Sequence, residues 1–148
     1  MTLVFTLIGG YCLLRPDIEV EPDIAIDPRQ AIINPFKVTN IGQLPIYDVR
    51  CQCFLRGLVS EGSGTSMIGP ATFDDLRHII PKMIHGESTS VPVPIFFQPK
   101  TPFTKGDIDV VVVYSTAIIP LHQERHFRFE IRQGANDEFM WFHKAISE

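Results

Sequence analysis

His122, Glu124 and His126 are spaced two residues apart. On an extended strand that spacing puts all three side chains on one face. Imidazole nitrogens and a carboxylate oxygen are donors that zinc and similar ions accept, so this trio is the chain's candidate metal set. The order is His-Gln-Glu-Arg-His, not the His-Glu-x-x-His of zinc proteases, which also requires a helix. No further ligand pair stands nearby in the sequence. The expectation is therefore a solvated strand face with cross-strand charge pairs, and no bound metal.

Other chemistry-bearing residues are weaker still. Asp74 and Asp75 could work as paired carboxylates in general acid–base catalysis. Their position after Thr72, in the spacing Thr-x-x-Asp, suits the start of a short helix over 72–80 instead, where acidic side chains favour the positive end of the dipole. Gly62-Ser63-Gly64 lacks the Gly-Lys-Ser of a phosphate loop, and no Gly-x-Ser-x-Gly elbow occurs. These patterns predict no catalytic residue and no cofactor. Phe139, Trp141 and Phe142 form an aromatic group near the C-terminus. They are candidates for binding a partner protein, or they cap the open end of a core.

Cys51 and Cys53 share a strand face, and no cysteine follows to bridge them. They are expected as small buried hydrophobes. Cys12 lies in an apolar run. The formal charge of -4 keeps a protein soluble and lacks the basic stripe of a nucleic-acid binder. The longest basic stretch, Arg125 to Arg132, is interrupted by Glu130.

The elements that would position these residues are extended. The 148 residues and twelve scattered prolines suit one domain of short strands joined by turns. Ile18, Val20, Ile24 and Ile26 among acidic residues, with Pro22, read as a proline-broken edge strand. Phe36 and Val38 face inward on the next strand, closed by Asn40-Ile41-Gly42, with Gly42 supplying a positive φ. Tyr47, Val49, Cys51, Cys53 and Leu55 alternate with Asp48, Arg50, Gln52 and Arg56. Residues 58–69 read as a Gly/Ser loop, Gly86 as a turn, and 88–97 as an edge strand carrying Pro92 and Pro94. Ile108, Val110, Val112 and Tyr114 share a face, and Val111 and Val113 on the other face predict a central strand. Phe127, Phe129 and Ile131 point inward from the strand over 124–132. Phe139 to Ala145 is a last strand or an aromatic plug.

Together these patterns predict an all-β, antiparallel immunoglobulin-like β-sandwich of seven or eight strands. Residues 17–148 form it, behind a short apolar N-terminal segment at 1–16. Residues 1–14 carry no charge. As a helix they would span about 21 Å, short of the about 20 apolar residues that a bilayer core takes. A membrane anchor is the favoured expectation, against a leader core or a first strand of the sandwich. Asp17, Glu19, Glu21 and Asp23 then mark the exit into water. The side of the membrane is left open, since Arg15 alone is the topological signal.

The stretch Pro35-Phe-Lys-Val-Thr-Asn-Ile-Gly-Gln-Leu-Pro-Ile-Tyr-Asp-Val49 resembles the second and third strands of bacterial immunoglobulin-like domains of the fibronectin-III or adhesion kind. Lys82 to Val91 is similar to their Pro-Gly-Glu turn, with His85 in place of Pro. Gln123 to Phe129 resembles their closing strand. The chain as a whole looks like a group of small bacterial proteins in which a membrane anchor precedes one such domain. The resemblance implies a binding or structural role and carries over no catalytic residue. The expected function is a non-enzymatic interaction or structural module, membrane-tethered, with a protein partner of unknown identity. The alternative is a soluble ligand- or metal-binding sandwich.

Overall fold

Alternating apolar and polar residues make strands here because one face of each strand can be buried while the other meets water. The computed structural model describes residues 15–61, 65–74, 79–93, 101–117 and 122–145. In chain order these hold β1 (Ile18–Pro22), β2 (Phe36–Asn40), β3 (Ile46–Glu61), β4 (Thr65–Ile68), β5 (Ala71–Asp74), β6 (Ile80–Met83), β7 (Ser88–Val91), β8 (Lys105–Thr116), β9 (Gln123–Gln133) and β10 (Phe139–Lys144). Short 3-10 turns stand at Ala31–Ile33 and Ala135–Asp137. The fold is an all-β, antiparallel sandwich. A three-stranded sheet in the order β1-β2-β7 faces a larger sheet in the order β10-β9-β8-β3, whose far edge is lined by β4, β5 and β6.

The core lies between the sheets. Val20, Phe36 and Val38 from the small sheet meet Val49, Leu55, Ile108, Val110, Val112, Tyr114 and Phe129 from the large one. Burying each such side chain contributes roughly 1.5–3 kcal/mol. Phe36 packs its ring 4.6 Å from Phe129 and 6.0 Å from Trp141, centroid to centroid. β8 is central, between β3 and β9, and both Val111 and Val113 on its outer face are buried, as the two-sided apolar pattern predicts. Cys51 and Cys53 are buried, and burial pushes the Cys51 thiol up to about 12.

Several local expectations give way. Ten strands are described where seven or eight were expected, because three short strands in succession line one long edge of β3. Residues 58–61 continue β3 and 65–68 form β4, so much of the expected loop is a hairpin. The pairs Leu55↔Ala71 and Leu58↔Ile68 are three residues apart on both strands. β4 and β5 are thus one strand in register, interrupted at Gly69-Pro70, where proline has no N–H to donate. No helix forms over 72–74 or at Ile80, which are strand; Asp75 lies outside the described residues. β1 ends at Pro22, leaving Ile24 and Ile26 86% and 71% exposed. The buried Asn34 carboxamide accepts the N–H groups of Ile26 and Asp27 instead, at 2.9 and 3.1 Å.

In β3, Asp48 takes φ 51° at a bulge against β8. The extra residue shifts the alternation, so Ile46 rather than Tyr47 enters the core, and Tyr47 receives the Lys82 ammonium 5.9 Å from its ring centroid. Residues 1–14, Gly62-Ser63-Gly64 and Pro94 also lie outside the described residues. Among those described, no helix is long and apolar enough to cross a membrane.

The chain crosses from the large sheet to the small one at β6–β7 and in the reverse sense at β2–β3. Both crossings meet at Asn40. Its Nδ2 donates to Leu44 O at 2.9 Å and to Met83 O at 3.0 Å, and its Oδ1 accepts from Gly42 N at 3.1 Å. Its backbone bonds Glu87 O and Gly86 N. Gly86 takes φ 78° in that turn, whereas Gly42 has no positive φ. Gly42 is needed for closeness, because a Cβ there would sit 2.3 Å from Asp17 N. Replacing Asn40 by alanine takes the side-chain donor from the part-buried Leu44 carbonyl and the buried Met83 carbonyl, while the Gly42 N–H keeps Asp17 O at 2.9 Å. It is expected to lower the unfolding free energy by about 3 kcal/mol, measured by urea titration.

Candidate functional site

β1 reads Ile-Glu-Val-Glu-Pro. Its alternation buries Ile18 and Val20 and exposes Glu19 and Glu21. The bonds Ile41 N to Asp17 O and Asp23 N to Pro35 O set the phase of its pairing with β2. Glu19 and Glu21 therefore direct their backbone groups toward Thr39 and Lys37 on β2. The C=O of Ile18 and the N–H and C=O of Val20 point to the opposite side of β1. There no described strand pairs with them. Pro22 falls in the same phase, so the donor it lacks is one that would have faced this edge.

Beside the edge runs a groove of 690 Å³, lined by Ile18 to Pro22, Ile41, Phe127, Phe129 and His143. Its origin is at the other end of β10. There Phe139 N donates to Pro28 O at 2.7 Å, and the Trp141 indole Nε1 donates to Ala31 O at 2.7 Å. These bonds tie β10 to the β1–β2 connection. Further along β10, His143 meets Phe129 edge-on at 5.5 Å and lines the groove.

The outer face of the large sheet carries a charge ladder. Leu55 and Gly57 of β3 oppose Ile108 and Asp107 of β8, so Arg56 is the extra residue of a second bulge. It reaches Asp109 on β8, with Nε at 2.7 Å and Nη2 at 2.6 Å from Oδ2. Arg128 of β9 donates Nε to the other oxygen at 2.7 Å. Lys144 of β10 bonds Asp107 at 3.1 Å and Glu130 at 3.3 Å, and Arg132 also pairs with Glu130. Beside the ladder, Gly57 and Gly106 contribute to a shallow cleft of 440 Å³ rimmed by Arg56, Lys144, Asp107 and Glu130. Its charges are largely spent on one another.

Desolvation pushes the Asp109 carboxyl up, but hydrogen bonds and charges from Arg56 and Arg128 outweigh it and hold the group below the usual aspartate range. Arg132 first, then Lys144, hold Glu130 down likewise. Both are kept ionised, the reverse of what a general acid requires.

Glu124 and His126 share the outer face of β9, 3.6 Å apart and each 59% exposed. His122 is exposed just before that strand. Among the described residues no group of three or more His, Cys, Asp or Glu could hold a metal ion. The aromatic group divides. Phe139 and Trp141 are buried in the core, and Phe142, on the alternate face, keeps 37% exposure with the Arg132 guanidinium 5.6 Å from its ring centroid. Asp74 is a strand residue paired with Gln52. The β1 groove was invisible to motif reasoning, since its lining comes from residues over a hundred positions apart. The one signal was the Glu-Val-Glu-Pro pattern of an edge.

A carboxylate with a lowered folded-state pKa stabilises above its unfolded pKa and loses that contribution as pH falls through the folded one. The difference in unfolding free energy between the natural chain and Asp109→Asn is therefore expected to be constant above about pH 5 and to shrink below about pH 4. Urea titrations across that range read it directly.

No family model matches the chain, and no curated protein matches it.

Proposed function

We propose that this chain is a non-enzymatic interaction module that receives a partner polypeptide along the edge of β1 that no described strand pairs, and that residues 1–14 tether it to a membrane. The observation that carries the docking edge is the outward N–H and C=O of Val20 beside an open groove of mixed apolar and polar lining. Main-chain groups at a sheet edge give affinity for an extended segment, and pockets for alternate side chains give specificity. The strand order supports an immunoglobulin-like assignment. A sheet of first, second and fifth-type strands faces a sheet built on the third, sixth and seventh. β10 is then an addition beyond the last strand. This order supports the resemblance to bacterial fibronectin-III-like domains.

A non-catalytic role is supported by the ionic state of Asp109 and Glu130, which are committed to arginine and lysine partners. The soluble ligand- or metal-binding alternative draws on His122, Glu124 and His126, of which only Glu124 and His126 come within an ion-pair distance. The tether is supported by the uncharged run at 1–14, which joins the sandwich where Asp17 O bonds the turn at Ile41 and Gly42.

The test compares the full chain with one beginning at Arg15, which keeps Pro16 packed. The full chain is expected to pellet with membranes and resist salt extraction, while the shorter chain stays in the supernatant. Equal solubility of both would remove the tether from the proposal and leave the edge.

A further inference from the structure

We infer that the partner segment is a short extended strand in which basic side chains alternate with aliphatic ones. The inference rests on the proposal that β1 is the docking edge, and it follows from how side chains fall on paired strands.

Residues directly opposite each other in a sheet share a face. A strand added beside β1 would place the side chains opposite Ile18 and Val20 on the inner side, where half-buried Phe127 and exposed Ile41 and His143 line the groove. Those positions call for aliphatic residues. Side chains opposite Glu19 and Glu21 would stand on the outer face. There Lys37 lies 3.1 Å from Glu21, and Glu19 has no ion pair among the described residues. Asp23 flanks the strand and adds to the negative rim, whereas Asp17 is paired with Arg125 at 3.4 Å. Lysine or arginine at the outward positions complements that rim, whereas glutamate opposes it.

The same charges argue against a second copy of this chain as the occupant. Pairing β1 with β1 would set acidic side chains against each other, which is destabilising. Pro22 limits any pairing to the stretch from Ile18 to Val20, since beyond it the edge offers no donor. Discrimination must then come from groove burial and outward charge more than from a long ladder of backbone bonds.

The experiment uses the full chain in lipid nanodiscs and short fluorescent peptides of four kinds. Three alternate valine with lysine, serine or glutamate, and the fourth has the lysine–valine composition in block order. Anisotropy is expected to show the lysine–valine peptide binding about tenfold tighter than the serine–valine one, with the glutamate–valine peptide weakest. Glu19→Lys, at an exposed position, is expected to abolish or invert that order. Val20→Pro removes the outward N–H but also exchanges a buried valine side chain for a proline ring, so its fold is checked by circular dichroism; folded, it is expected to weaken every alternating peptide.

If the three alternating peptides bind alike, and Val20→Pro weakens them all, the edge stands and the basic partner is overturned. If the block-ordered peptide matches the alternating lysine one, attraction is unregistered and the strand-like partner is overturned. If none binds, the docking edge itself fails and takes this inference with it.

Discussion

Asn40 is the fixed point of this sandwich. A side chain buried that completely must satisfy its carboxamide internally, and it does so by binding the backbones of two different crossings between sheets. The β2–β3 and β6–β7 connections are therefore held to one another, and the separation and registry of the sheets at that end follow. Asp17, where the described chain nearly begins, is drawn into the same knot through Ile41 and Gly42. Asn34 acts comparably in the β1–β2 connection, where its carboxamide binds the Ile26–Asp27 backbone on both its donor and acceptor sides. Two buried amides thus replace the sheet ladder where the chain leaves it.

The groove is a consequence of how the rest closes. Trp141 and Phe139 fasten β10 to the backbone at Ala31 and Pro28, and the aromatic stack of Phe36, Phe129 and Trp141 fills the core beneath. Alongside the remaining length of β1, Phe127 and His143 line an opening instead of a closed seam. The ladder of Arg56, Asp109 and Arg128 meanwhile spans three strands of the large sheet on its outer face, its half-buried carboxylate serving two guanidinium groups. Polar chemistry on that face is engaged in holding strands together. At the edge of β1, the backbone groups of Val20 have no strand partner among the described residues.

Much of the fold was legible because burial imposes a period of two. Ile108 to Tyr114, with Val111 and Val113 on the opposite face, announced a central strand. Phe127 to Ile131 and Phe36 with Val38 announced one-sided ones. Errors clustered where a tertiary partner overrode local signals. The bulge at Asp48 exchanged Tyr47 for Ile46 in the core, which no alternation count could foresee. Thr72 and Asp74 carried helix-start chemistry, yet β3 offered an unpaired edge, and a strand there satisfies backbone groups that a short helix would have left open. Gly42 was legible as essential but for a different reason: proximity to Asp17 rather than backbone dihedral.

By itself, then, the sequence determined that the chain is a sandwich of antiparallel strands, that Cys51 and Cys53 are buried, and that β1 lies at an edge, since those follow from residue type and local spacing. Tertiary structure alone decided that Phe139 and Trp141 belong to the core while Phe142 does not, and that Arg56 and Arg128 converge on Asp109. It alone decided that Ile41, Phe127 and His143 meet beside Val20. Each of those depends on register and on contacts between distant segments, and the free energy that selects one register is shared across the whole core, where no local pattern records it.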